Sequence, residues 1–200
     1  SLATGLDHSW DRDVEATREE GRRMTRILDT LLAFARGADP APSRDPIDLV
    51  ALARRRVESW RDAAAAKGVA LVLLAPGPGA GGRVLSSTDE TIAESALDAV
   101  IDNAVKFSPA GAQIEVTAAR VQDRCELTVR DHGPGLPEEE LAHATDRFWR
   151  SDRTRTTPGT GLGLAIATDL LATVDAGVRV EAADGGGLRV VLMLPGTETR

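Results

Sequence analysis

An α+β two-layer sandwich, with helices on one face of an antiparallel or mixed sheet, is the fold the sequence predicts. Three observations carry the prediction. Alternating apolar stretches come in pairs joined by short polar or glycine turns, Ile114 to Ala118 with Cys125 to Arg130, and Val178 to Ala182 with Leu188 to Leu194. Apolar residues at helical spacing run before and between those pairs. Finally, 200 residues with 42% hydrophobic content suffice for one well-buried domain and an appendage, but are short for two full domains.

Taken in order, Val14 to Arg36 places Met24, Ile27, Leu28, Leu31, Leu32 and Ala35 at helical spacing between charged residues, a helix with one apolar side. Gly37 stops it. The stretch Gly37 to Pro46, with Pro40, Pro42 and Pro46, can neither continue a helix nor pair in a sheet, so it reads as a linker and a domain boundary. Leu49 to Lys67 then reads as a helix, Val69 to Ala75 as a strand and Pro76 to Gly82 as a loop. Ser87 with Glu90 makes a capping-box signature for a helix carrying Ile92, Leu97, Val100 and Ile101 towards Asn103. The first strand pair follows, turning at Gln122-Asp123 and ending at Asp131. A helix from Leu162 to about Asp175, closed by Gly177, precedes the last hairpin around Asp184-Gly185-Gly186-Gly187.

Charge and cysteine content exclude several functions. Lys and Arg total 24 against 31 Asp and Glu, a net charge of −7, so no basic stripe awaits a phosphate backbone and nucleic acid is not an expected partner. One cysteine forbids an internal disulfide, and with His8, His132 and His143 scattered it makes no familiar zinc site. Cys125 alternates with Leu127 and Val129, which puts it on the apolar face of a strand as a buried, inert thiol. No apolar run approaches membrane-spanning length, and the first residues carry no signal-peptide pattern.

Four short motifs carry the chemistry. In Asp102-Asn103-Ala104-Val105-Lys106-Phe107, an amide oxygen and an ammonium three residues apart share one helical face, where they suit a hard cation and phosphate. The same pair also reads as a helix cap beside an ordinary solvated lysine. Asp131-His132-Gly133-Pro134-Gly135 closes a strand and bends sharply, which fits a carboxylate at the floor of a cleft or a plain strand-to-turn Asp-X-Gly. Gly159-Thr160-Gly161-Leu162-Gly163-Leu164 opens a helix, so its amides and the helix dipole suit an anionic phosphate; the alternative is a glycine hinge. It is neither a Walker A loop, lacking Gly-Lys-Ser/Thr, nor a Rossmann fingerprint, since no strand leads into it. Between the glycine motifs, Leu136 to Pro158 reads as a polar lid with Arg147, Arg150, Arg153 and Arg155, pinned by the packing of Phe148 and Trp149. His132 and His143 read as ordinary polar loop residues.

In this order and at about these spacings, with Arg147-Phe148-Trp149-Arg150 as the third, the motifs resemble the N, G1, F and G2 boxes of the catalytic domain of sensor histidine kinases, members of the GHKL superfamily with its Bergerat ATP-binding fold. Residues 22–36 also look like the end of the second helix of that family's dimerisation domain. The resemblance implies a partial dimerisation helix over residues 1–36, a linker over 37–46 and a catalytic domain over 47–200. It implies ATP and Mg2+ as cofactors, with Asn103 on the metal and Asn103, Lys106, Phe107, Asp131, Gly133, Gly135, Leu136, Gly159, Thr160, Gly161, Leu162 and Gly163 around the nucleotide. Lys106 and Arg150 would be the catalytic contacts to phosphate, and Asp131 would accept the adenine amino group.

Related ATPases and serine kinases carry a glutamate four residues before the metal-binding asparagine, and histidine kinases usually carry a second asparagine; here the position is Ala99. No carboxylate one turn before Asn103 activates water, which favours transfer to an imidazole over hydrolysis. The family's acceptor is flanked as His-Glu-x-x-Thr-Pro, and no histidine here is; His8 stands only about four helical turns before Met24. The expectation is a kinase segment beginning after its phosphoacceptor helix, homodimeric when full-length, paired with a response regulator, on the cytoplasmic side of a membrane receptor. A regulatory nucleotide-binding module that transfers no phosphate is the alternative.

Overall fold

Period-two alternation builds one five-stranded sheet. The computed structural model describes residues 45–75, 82–154, 157 and 159–197, all within one compact unit, Pro42–Arg200. The expected helix over residues 14–36, the domain assigned to 1–36 and nearly all of the linker lie outside the described residues, as does most of the loop over 76–82. Strands β2 (Ala70–Leu73), β4 (Gln113–Val121), β5 (Arg124–Arg130), β6 (Gly177–Ala182) and β7 (Leu188–Pro195) lie in the order β2-β4-β5-β7-β6. Only β2 with β4 is parallel; the other pairings are antiparallel, so the sheet is mixed. Val116 pairs with Val129 and Val129 with Val190, which aligns the apolar faces of three strands. Ile114, Val116, Cys125, Leu127, Val129, Val190, Leu192 and Leu194 are accordingly buried.

The helices cover that face. Helix α1 (Leu49–Ala66) buries Leu49, Leu52 and Val57; α2 (Glu90–Phe107) buries Leu97, Val100, Ile101 and Val105; α4 (Gly163–Ala172) buries Leu164, Leu170 and Leu171. A fully buried leucine or isoleucine contributes roughly 1.5–3 kcal/mol, so this interdigitated layer is the main support of the sandwich. A four-residue helix, α3 (Glu138–Leu141), and a 3-10 turn at Asp152–Thr154 are the regular pieces of the lid.

Two helix boundaries differ from expectation. The capping box at Ser87 and Glu90 does not form: Asp89 caps α2 instead, accepting from the amides of Thr91 at 2.9 Å and Ile92 at 3.2 Å. Ser87 is held back because its amide still pairs with the carbonyl of Pro195. Helix α4 ends at Ala172, and the turn out of it is made by Asp175 at φ 53 rather than by Gly177, which already belongs to β6. Asp tolerates the left-handed region, and here Arg124 holds both its carbonyl at 2.5 Å and its carboxylate at 3.2 Å.

A two-stranded sheet of β1 (Ile47–Asp48) and β3 (Leu85–Ser86) was not foreseen, each strand being too short to show a period. It anchors the start of α1, where the Asp48 carboxylate caps the Val50 amide at 3.0 Å. Farther along, Arg56 makes a two-pronged ion pair with Asp98 (2.8 and 2.9 Å) and reaches Glu94, while the Trp60 indole N–H donates to Asp98 at 2.8 Å. Such a fork fixes the rotation of α2 against α1. Asn103 is displayed one turn and a half farther along the helix so fixed.

Candidate functional site

The last turns of α2 present the first motif on the half-buried side of the helix. Asn103, Lys106 and Phe107 are partly exposed while Ala99, Val100, Ala104 and Val105 are buried. The motif therefore ends its helix as expected, but Asn103 lies inside it, four residues before its end, and does not cap it. Lys106 ion-pairs with Asp102, one turn back, at 3.0 Å. Ala99 packs in the apolar core.

Directly against this helix end lies the turn that follows β5. A methyl group on Gly133 would sit 2.8 Å from the carbonyl oxygen of Phe107, so only glycine permits the approach. Asp131 is 3% exposed, at the foot of the turn. Its Oδ1 accepts from the Gly133 amide at 2.8 Å and the Leu188 amide at 3.2 Å, and its own amide donates to the Leu188 carbonyl at 2.9 Å. Burial pushes its carboxyl above the usual carboxylate range; the two amides, and the charges of His132 and Arg130, oppose that push. Gly135, at φ +64, comes close to Gly187, and Leu136 packs half-buried on the core as the root of the lid.

The second glycine motif leads into α4, whose first residue is Gly163; no side chain caps that end. An uncapped N-terminus on a ten-residue helix keeps backbone donors and a positive dipole end for an anion. Gly161, at φ +71, takes the Phe148 amide on its carbonyl at 3.1 Å, and a methyl group there would lie 2.5 Å from the Trp149 carbonyl. The third and fourth motifs thus meet, as the first does with the second. Helix α4 also packs against α2.

Lid packing departs from expectation. Phe148 does not pin the lid: it is 72% exposed and its backbone is at φ 63, because the bend that delivers its amide to Gly161 turns the ring outward. Trp149 is half-buried, with its ring centroid 6.4 Å from that of His143. Arg150 is no freely solvated arginine; it donates to the carbonyls of Thr154 at 3.1 Å and Thr157 at 2.5 Å. Arg147 reaches across to Asp169 of α4 at 2.9 Å. An open hollow of about 610 Å³ is lined by Glu140, Phe148, Trp149, Arg150, Ser151 and Asp152, and shares no residue with the two glycine motifs, Asn103 or Asp131.

His132 bonds through Nδ1 with the Gln113 carbonyl and His143 with Asp146, both as polar loop residues. Cys125 is buried, and burial pushes its thiol up, as an inert core cysteine requires. Gly187 and Leu188, which hold Asp131 from behind, were missed. Their signal was the run Gly185-Gly186-Gly187, one glycine more than a tight hairpin needs.

Comparison with known proteins gives one consistent relationship. Residues 88–198 match the family described as histidine kinase-, DNA gyrase B-, and HSP90-like ATPase. Over 188 residues, 92% of the chain, it is 29% identical to the sensor-like histidine kinase SenX3 of Mycolicibacterium smegmatis, and covers 48% of that protein. Over 102 residues, 48% of the chain, it is 40% identical to the signal transduction histidine-protein kinase/phosphatase MprB of the same organism, covering 21% of it. Among solved structures, full-length ShkA in complex with AMPPNP superposes with a TM-score of 0.70 at 29% identity, over 94% of this chain and 39% of that one. The mycobacterial sensor histidine kinase MprB gives 0.62 at 28% identity, over 78% of this chain and 99% of that one. The chain spans half or less of the length of these curated relatives.

Proposed function

The chain belongs to the histidine kinase-, DNA gyrase B-, and HSP90-like ATPase family and is homologous to the catalytic ATP-binding domains of sensor histidine kinases, and from that premise we propose that it binds Mg-ATP and donates the γ-phosphoryl group to a histidine of a two-component sensor kinase. The observation that carries the reading is Asp131: a buried carboxylate, oriented by two backbone amides, at the foot of a glycine turn pressed against the end of the helix that bears Asn103. With both amides on Oδ1, Oδ2 is the oxygen that accepts the exocyclic amino group of adenine. Gly133 and Gly135 let the base lie against the chain.

The phosphates then run towards Asn103, Lys106 and the N-terminus of α4. Among the described residues no group of three His, Cys, Asp or Glu side chains could hold a metal. An amide oxygen nevertheless suits Mg2+, which takes one or two protein ligands and completes its shell with phosphate and water. When bound, Mg2+ would neutralise charge developing on the phosphates. Lys106, already on the same face, trades Asp102 for a phosphate oxygen, and Gly159 to Gly163 with the first amides of α4 surround the phosphate chain. Arg150 leaves the carbonyls of Thr154 and Thr157 when the lid closes. A neutral imidazole nitrogen attacks the γ-phosphorus, the bond to the ADP oxygen breaks, and the imidazole proton passes to solvent. No general base is needed, which fits a core alanine at position 99.

The acceptor helix, a homodimeric bundle, a response regulator and a membrane-anchored receptor complete the reading; they rest on relatives about twice this length. No described helix is long and apolar enough to cross a membrane. Isothermal titration with ATP, with and without Mg2+, tests the site. Asn103→Ala should lose the dependence on Mg2+ and Asp131→Ala the preference for adenine over guanine, and unchanged binding in both overturns the assignment. Mixed with a histidine-bearing dimerisation hairpin as a separate polypeptide, the chain should transfer acid-labile phosphate to it.

A further inference from the structure

Beneath the carboxylate that the proposed function assigns to adenine lies a second element, the glycine turn of the β6–β7 hairpin. Gly187, at φ +85, is packed so tightly that a methyl group would overlap the main-chain carbonyl of Asp131 and come within 2.9 Å of its Oδ1. Its successor Leu188 donates to that same Oδ1 and is paired through its carbonyl with the Asp131 amide. Gly186, one residue earlier at φ +104, faces nothing within 4 Å. The turn is fixed from outside: the Ala183 amide donates to the Gly187 carbonyl at 3.1 Å, and Arg130 donates to the Asp184 carbonyl at 2.5 Å.

We propose that Gly187 and Leu188 are specificity-determining positioning residues of the adenine subsite, setting the orientation of the Asp131 carboxylate without touching the nucleotide. The inference rests on the ATP-binding reading given above. Adenine offers a hydrogen-bond donor at its 6-position where guanine offers an acceptor. Discrimination therefore depends on one carboxylate oxygen facing that atom while the other stays on the protein. Two amides on Oδ1, one from the turn after β5 and one from Leu188, enforce that division. The lack of a β-carbon at position 187 lets the Leu188 amide come within reach.

Binding of ATP and GTP to the whole chain, compared across Gly186→Ala, Gly187→Ala and the wild type, isolates the device. Both variants impose a left-handed alanine, so the strain is shared and only the overlap with Asp131 differs. Gly186→Ala should keep the wild-type ratio of ATP to GTP affinity. Gly187→Ala should lower it by about tenfold or more, through weaker ATP binding. If Gly187→Ala does not fold, a chain with the α-hydroxy analogue of leucine at position 188, which replaces that amide N–H by an ester oxygen, decides. It should still fold, at a Tm lowered by the loss of one hydrogen bond to the carboxylate, and bind ATP several-fold more weakly, so that the ratio of ATP to GTP affinity falls. A wild-type ratio in folded Gly187→Ala, or in the ester-containing chain, overturns the inference. A wild type without preference for ATP overturns the nucleotide assignment itself.

Discussion

The floor around Asp131 and the segment from Leu136 to Thr154 are held by backbone and side-chain contacts in different proportions. At the floor, a buried carboxylate meets backbone amides from two strand ends, and glycines bring main chain against main chain. Along the lid, one backbone contact, the Phe148 amide on the Gly161 carbonyl, is joined by an exposed Arg147–Asp169 ion pair and a guanidinium on loop carbonyls, while the Phe148 ring faces solvent. Backbone contacts backed by a packed sheet do not rearrange cheaply, whereas exposed side-chain ties exchange with water at little cost. Under the proposed function, the base would meet the fixed surface and the phosphates the more easily rearranged segment.

Asp131→Asn is the sharpest way to break that contrast. The amide keeps an oxygen for the Gly133 and Leu188 amides but offers an NH2 group where adenine also donates, leaving two donors opposed. ATP affinity should fall about 100-fold or more, with the circular dichroism spectrum unchanged. Stability should move the other way. Because burial raises the folded-state pKa of Asp131 above 3.8, its contribution is fully present below the unfolded value and lost as pH rises through the folded one. The ionised carboxylate thus costs stability at neutral pH. Asp131→Asn should melt above the wild type at pH 7, with the difference shrinking on acidification; a variant that melts lower at every pH would contradict the burial argument.

Next in size is Gly161→Ala, at the hinge between lid and α4. Its methyl group would lie 2.5 Å from the Trp149 carbonyl, on a backbone at φ +71. A destabilisation of about 1–3 kcal/mol is expected, seen first as faster proteolysis within the lid, with the adenine preference kept. Loss of that preference would mean that floor and lid are not separable.

What could be read from the sequence follows the same division. Alternating strands, the helix carrying Asn103 and the glycine turns announced themselves because periodicity and φ requirements are local. The clasp of Gly187 and Leu188 on Asp131 joins residues 57 apart through the backbone, which no pattern of side chains encodes. Phe148 was misread for a related reason. Aromatic residues pack by default, and only the pairing of its amide with Gly161 shows that the backbone turns the ring out. Ser87 failed as a cap because strand pairing to Pro195, far along the chain, claimed its amide.

A smaller effect is expected at the Arg147–Asp169 tie. The two side chains are 69% and 47% exposed, so screening leaves the pair about 0.5 kcal/mol or less in a double-mutant cycle with Arg147→Ala and Asp169→Ala. A coupling well above 1 kcal/mol would place the lid with the floor as a rigid element.

The smallest change concerns Phe148. Its left-handed backbone costs about 1–2 kcal/mol relative to an ordinary conformation, and glycine would remove that cost. Glycine also gains freedom in the unfolded chain, which offsets roughly 0.5–1 kcal/mol of the relief. With the ring already in solvent, little packing is lost. Phe148→Gly should therefore alter the stability of the nucleotide-free protein by less than about 1 kcal/mol, on the stabilising side. Urea denaturation measures the difference, and a loss near the 3–5 kcal/mol typical of a buried phenylalanine would show that the ring packs into the lid after all.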